Sequence, residues 1–167
     1  MSQSQRAEDI KQGFAAQHVA TQYAVVQYLT EHLSDCCRSF DGDLSQMLVL
    51  AILGQRSLQA AMAPSPDGPA DAAMTASRIA DVTGLPRETV RRKLVRLEAR
   101  GWIARDATGG WCVALTGDSS FARRDLAALE DRHADRLVRL FLRLSSLADP
   151  PSPARNGQPA RDDGGKG

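Results

Sequence analysis

The chain has 167 residues, the length of one folding unit with appendages, which leaves no room for two large domains with a cleft between them. Its formal charge of +1, from 21 Lys and Arg against 20 Asp and Glu, argues against a protein that coats nucleic acid along its length and against an acidic, extended chain. That total hides a segregation, with residues 1–74 at net −4 and residues 75–116 at net +4, and one basic block on a neutral molecule predicts contact with a polyanion at one place.

From about residue 5 to residue 40, apolar residues recur at Val19, Tyr23, Val26, Leu29, Leu33, Cys36 or Cys37 and Phe40 in steps of three and four. This predicts one long amphipathic N-terminal helix over 1–40. Asp41-Gly42-Asp43 interrupts the pattern, and Asp43 is placed to N-cap a second helix through Leu44, Met47, Leu48, Ala51, Ile52, Leu58 and Met62. Three prolines within 64–69 bar both helix and central strand and predict a surface loop. A short helix near 76–82, a turn at Thr83-Gly84-Leu85 and a third helix over 86–100 follow, the last with a buried stripe of Val90, Leu94 and Leu97 and with Gly101 as its stop. The runs 102–105 and 111–115 have strand composition and flank a loop with two glycines, which reads as a β-hairpin. From about Ser119 the helical period returns through Leu126, Leu129, His133, Leu137, Leu140, Leu144 and Leu147, predicting a C-terminal helix over 119–148. Residues 149–167 are rich in Pro and Gly and are expected to be a disordered tail.

Short helix, glycine turn, second helix and two-stranded hairpin is the order of a winged helix-turn-helix, here a mainly α fold with a small β-hairpin wing. Ile79, Val82, Leu85, Val90, Leu94, Leu97 and Ile103 are spaced to share one core, so residues 43–116 form the expected DNA-binding domain. Thr75-Ala76-Ser77-Arg78-Ile79-Ala80, Thr83-Gly84-Leu85-Pro86-Arg87-Glu88-Thr89-Val90-Arg91-Arg92-Lys93-Leu94 and Leu97-Glu98-Ala99-Arg100-Gly101-Trp102-Ile103 resemble the helix-turn-helix of bacterial transcription regulators. The middle run is especially similar to the cyclic-AMP-receptor type. The resemblance implies that Arg87, Glu88 and Arg92 read bases and that Thr75, Ser77 and Thr89 hold phosphates. Independently, a helical wheel puts Glu88, Arg92, Arg96 and Ala99 opposite the buried stripe, with Arg87 at the exposed end. Arginines can donate bidentately to guanine, and Glu88 can accept from a cytosine amino group. Arg91, Lys93, Arg96 and Arg105 are further phosphate candidates. Six cations lie within 87–100, opposed on that helix only by Glu88 and Glu98, which favours DNA over a merely solvated face. A winged helix that docks proteins in a larger assembly is the alternative.

Residues 1–74 are too short and too helical for the nucleotide-binding half of a cyclic-AMP-receptor-type protein. The overall order instead resembles the MarR-type architecture, in which helices from both chain ends build a homodimer around central winged helices. The C-terminal helix agrees, since Val138, Phe141 and Leu142 beside the seam make its last turns apolar nearly all round, and such a helix needs cover on several faces. Leu126, His133, Leu137, Leu140, Phe141, Leu144 and Leu147 are the expected dimer interface, and two-fold symmetry suits pseudo-palindromic sites on double-stranded DNA. The MarR-type resemblance also implies an unidentified small-molecule effector, to which no residue points. MarR-type wings often carry an Arg at the tip, whereas residues 106–110 have none, leaving Arg105 and the backbone N–H groups as the wing's means of reaching a phosphate.

Three cysteines, two of them adjacent, make a poor disulfide framework and are expected to be reduced thiols. His32 and Cys36 are four apart on a helix and His133 could join them on a metal, but packing is the preferred reading, and neither metal nor cofactor is expected. No nucleophile motif or phosphate loop is present, so an enzyme is not expected. With no apolar leader and no apolar run longer than 47–53, the chain is expected to be soluble and cytoplasmic, without a membrane partner.

Overall fold

The computed structural model describes residues 2–62, 72–117 and 119–148; the loop expected at 64–69 and the tail expected at 149–167 lie outside the described residues. Two compact units divide the chain, Tyr28–Leu137 and the pair of segments Met1–Gln27 and Val138–Gly167. The helices are α1 (Gln3–Ala16), α2 (His18–Ser39), α3 (Leu44–Met62), α4 (Ala76–Thr83), α5 (Arg87–Ala99), α6 (Phe121–Asp125) and α7 (Ala127–Ala148). The strands are β1 (Ile103–Arg105), β2 (Trp111–Val113), β3 (Leu115–Thr116) and β4 (Ser119–Ser120). Both α2 and α7 contribute to both units.

The larger unit is a winged helix-turn-helix, and local chemistry sets each of its corners. Asp43 accepts from the Gln46 N–H at 2.9 Å and starts α3. Thr75 Oγ1 accepts from the Arg78 N–H at 3.2 Å and starts α4. Gly84, at φ +69°, ends α4 in the left-handed conformation that lets the chain turn into α5 at once. Gly101, also at φ +69°, follows the end of α5, and β1 pairs antiparallel with β2 in the register Ile103↔Val113 and Arg105↔Trp111. Met74, just before α4, exchanges two 2.8 Å hydrogen bonds with Trp111, so the wing strand also fixes the entry to the helix-turn-helix.

Val49, Leu53, Ile79, Val90, Leu94, Leu97 and Ile103 form the closed centre of the core. Each such side chain contributes about 1.5–3 kcal/mol relative to exposure. Trp102 and Trp111 are buried in the core cluster, and Trp102 Nε1 donates to Asp125 at 2.8 Å. Val82 departs from expectation and is exposed, while Leu85 is half-buried. On α3 the buried side chains are Gln46, Val49, Leu50 and Leu53, whereas Ala51, Leu58 and Met62 face solvent. The run 47–53 is apolar on all sides, so its periodicity could not choose the inward face.

The long N-terminal helix is two helices, broken at Gln17 (φ −112°, ψ 40°). The C-terminal helix begins at Phe121, not Ser119, because 119–120 pair with 115–116 as a second small ladder. It breaks again at Leu126, where Leu126 and Leu129 pack against the winged-helix core. Leu126, expected in a dimer seam, is half-buried and packs in part against the core of its own chain.

The stripe Val19, Tyr23, Val26, Leu29 and Leu33 also departs from a buried role; all five are exposed, Val19 at 82%. Within the larger unit α2 instead meets α7 through polar groups. Arg132 Nε donates to Asp35 at 3.0 Å, and Arg136 pairs with Glu31 at 3.2 Å and also with Asp35, which is buried and further paired with Arg38. His32 and His133 meet at 3.2 Å beside Tyr28. In the smaller unit Gln17 Nε2 donates to the Leu147 carbonyl at 3.1 Å and the Arg143 guanidinium lies over the Tyr23 ring. Gly13 permits a close backbone approach there, since a Cβ at this position would stand 2.7 Å from the Ala148 oxygen.

Candidate nucleic-acid interface

Because Val90, Leu94 and Leu97 are the buried face of α5, its other side must face out, and Arg87, Glu88, Arg91 and Arg92 are exposed there. Thr89 is half-buried at the edge. Arg87 and Arg92 make no ion pair among the described residues, and Arg91 reaches Glu88 only at 4.0 Å between two exposed groups, a pair of little energetic weight. Val95 is 61% exposed on the same face, at the i+7, i+4 and i+3 positions from Glu88, Arg91 and Arg92. The sequence reading names no role for Val95, although its wheel position, between Arg91 and Arg92, places it on the outward face.

The positive charge of α5 is less concentrated on that face than its sequence suggests. Lys93 Nζ lies 2.5 Å and Arg96 Nη1 3.3 Å from Asp43, and Arg100 Nη2 lies 2.9 Å from Asp41. Three of the six cations thus have partners some fifty residues away at the α2–α3 corner, beyond any i,i+4 count. Burial works against the ionised Asp43, yet the hydrogen bonds from Lys93 and the Gln46 N–H hold its carboxyl below the usual value.

Thr75 and Ser77 are both exposed at the start of α4, the Thr75 hydroxyl keeping its proton free to donate while its oxygen caps the helix. Arg105 lies with its guanidinium 4.2 Å from the Trp111 ring centroid. At the wing tip the Asp106 carboxylate accepts from the Thr108 N–H at 3.0 Å and the Gly110 N–H at 2.7 Å, and the Gly109 N–H goes to the Asp106 carbonyl at 3.1 Å. These three N–H groups are therefore already used within the loop. The Thr108 hydroxyl leads the groups that hold the Asp106 carboxyl below its ordinary value, so the tip is a fixed negative charge.

Of the other expected interface residues, Leu137 and Phe141 are exposed, as are Val138 and Leu142, while Leu140, Leu144 and Leu147 are half-buried. His133 is half-buried against His32 and Tyr28. His32 turns Nδ1 to His133 and Nε2 to Cys36 Sγ, 3.6 Å away, so its two nitrogens serve different neighbours. No group of three His, Cys, Asp or Glu among the described residues is arranged to hold a metal ion. All three thiols are free. Burial, then Cys37 and Asp35, push the Cys36 thiol up, away from a reactive thiolate.

Residues 68–107 match the family model of the IclR helix-turn-helix domain, a stretch of forty residues that takes in α4, α5 and β1. This model is of neither type that the sequence resembles. No curated protein and no solved structure matches the chain. No described helix is long and apolar enough to cross a membrane. The matched stretch contains α4 and α5, which form a helix-turn-helix of the DNA-binding kind that bacterial transcription regulators carry.

Proposed function

We propose that the protein is a sequence-specific transcription regulator that binds duplex DNA as a homodimer, with α5 in the major groove. The observation that carries this reading is the divided surface of α5, where Val90, Leu94 and Leu97 are sealed in the core and Arg87, Glu88, Arg91, Arg92 and Val95 stand exposed. Arg87 and Arg92 are assigned to guanine O6 and N7, and Glu88 to a cytosine amino group, a good bidentate pair discriminating by about 1–3 kcal/mol. Val95 adds an apolar contact suited to a thymine methyl. Thr75, Ser77, Thr89, Arg91 and Arg105 are assigned to phosphates, and Arg96 joins them with the N–H groups that Asp43 leaves free.

The homodimer reading is supported by apolar surface left uncovered in each unit. Val19, Tyr23, Val26, Val138, Phe141 and Leu142 are exposed in one, and Leu29, Leu33 and Leu137 in the other. A second copy of the chain is the cover that the MarR-like order of elements favours, and a two-fold axis would present two α5 helices to half-sites about 34–36 Å apart. The reading is tested by fluorescence anisotropy with a generic duplex over a salt series. Log affinity is expected to fall with log salt by about 0.9 for each phosphate neutralised. No binding at low salt would sink the DNA reading in favour of a protein-docking winged helix.

A further inference from the structure

We propose that the contact between His32 and His133 is an acid-sensitive latch joining α2 to α7, closed while at most one of the two imidazoles is charged and opened when both are. The latch lies inside the Tyr28–Leu137 unit and holds whether or not α5 enters DNA.

The contacts fix the directions of donation. His32 Nδ1 and His133 Nδ1 stand 3.2 Å apart, so one ring must donate there and the other accept. His133 Nδ1 also lies 3.4 Å from the Tyr28 hydroxyl, and His32 Nε2 lies 3.6 Å from Cys36 Sγ. With both rings neutral every contact is served. The Cys36 thiol donates to His32 Nε2, His32 Nδ1–H donates to His133 Nδ1, and the Tyr28 hydroxyl donates to the same nitrogen. Burial first, then Cys37 and Asp35, keep Cys36 a thiol and hence a donor. One added proton is accommodated by reversing the chain, His133 donating to His32 Nδ1 and His32 Nε2–H turning to the sulfur. A second proton leaves no acceptor, since two charged rings then point N–H groups at each other.

The seam around the pair does not favour that second charge. From α2 its titratable and charged groups are Tyr28, Glu31, Asp35, Cys36 and Cys37, and from α7 they are Arg132 and Arg136. Asp35 gives Oδ1 to Arg38 and Oδ2 to Arg132 and Arg136, and Glu31 receives Arg136 at 3.2 Å, so both carboxylates are already engaged by guanidinium groups. Burial first, then His133 and Arg136, hold His32 below its ordinary value of 6.5, and Asp35 opposes them without prevailing. Both helices run from the latch into the winged helix. Phe40, just past α2, stands edge-on to Trp102 with ring centroids 5.7 Å apart, and Leu129 of α7 packs against the same core. Opening the latch therefore parts two arms close to where each is anchored beside α5.

The test is the thermal melt of the full chain from about pH 8 to about pH 5, above the range in which ordinary carboxylates titrate. Because the folded value of His32 is lowered, the unfolded chain takes up the proton first, and stability is lost as pH falls below about 6.5. One proton bound on unfolding lowers the melt by about 3–5 °C per pH unit. His32→Gln should abolish that fall, His133→Gln should make it shallower while burial still acts on His32, and His18→Gln, outside the pair, should keep it. In histidine-labelled protein, ring-to-ring Overhauser contacts of His133 with His32 and Tyr28 should vanish as the second ring takes up its proton. A wild-type melt that is flat across this window, or the full wild-type slope in His32→Gln or His133→Gln, would overturn the latch. So would Overhauser contacts that persist with both rings charged, or a second ring that stays neutral until the chain unfolds.

Discussion

The winged helix and the helices that flank it are built from similar apolar patterns and end in opposite states. In the winged helix one inward face of each main helix finds its partner inside the chain, and Val49, Leu53, Ile79, Val90 and Leu97 reach 0% exposure. No residue of α1 or α7 is fully buried, and on α2 the apolar stripe faces out while Tyr28, Glu31, His32 and Asp35 meet Arg132, His133 and Arg136. An amphipathic stripe therefore marks a face that has to be covered, but it does not say whether the same chain supplies the cover.

That contrast can be broken most forcefully from the core. Leu97→Ala is expected to lower stability by about 2–5 kcal/mol, because a rigid, closed core does not collapse into the space left behind. Chemical denaturation followed by tryptophan fluorescence reads it, since Trp102 and Trp111 lie in the same cluster. A near-wild-type unfolding midpoint would show that the winged helix is not the self-contained half.

Phe141→Glu probes the other half. Removing an aromatic anchor from an interface costs about 2 kcal/mol or more, so the dimer should weaken by about 30-fold or more in sedimentation while the winged-helix melt stays unchanged. An unaltered sedimentation coefficient across the concentration range would mean that a second copy does not cover this face.

The smallest expected effect concerns the polar seam between α2 and α7. Arg136 foremost, then Arg38 and Arg132, hold the Asp35 carboxyl well below the usual carboxylate range in spite of its burial. A folded-state value depressed in this way stabilises the protein above the unfolded value near 3.8 and is lost as pH falls through the folded one. Thermal melts should therefore fall on acidification below about pH 4, and Asp35→Asn should lower the neutral-pH melt and flatten that acid limb. A variant with the wild-type acid limb would remove Asp35 from the groups that hold the two helices together.

Much of the winged helix was legible in the sequence because its signals are local. Gly84 and Gly101 mark turns, Asp43 marks a cap, and the spacing of Val90, Leu94 and Leu97 identifies the inward face of α5. The breaks at Gln17 and Leu126 were not legible, since neither site has a Pro or Gly and the apolar period runs through both. The pairing of Lys93, Arg96 and Arg100 with Asp41 and Asp43 was equally hidden, because sequence spacing reports neighbours on one helix and not across a corner. At the wing, composition revealed the missing arginine, but only the folded loop shows the Asp106 carboxylate taking the Thr108 and Gly110 N–H groups.

Asp43 divides its two oxygens between tasks, Oδ1 capping α3 and Oδ2 receiving Lys93 and Arg96 from α5. A carboxylate shared in this way acts as a pin against rotation. Rolling α5 about its own axis by one residue step, about 100°, would pull both cations off the same oxygen at once. The roll angle of α5, and with it the choice of which side chains between Arg87 and Val95 point outward, is therefore set partly at the α2–α3 corner. If α5 reads DNA as proposed, a residue there would help to determine what the helix reads without being among the residues that read it.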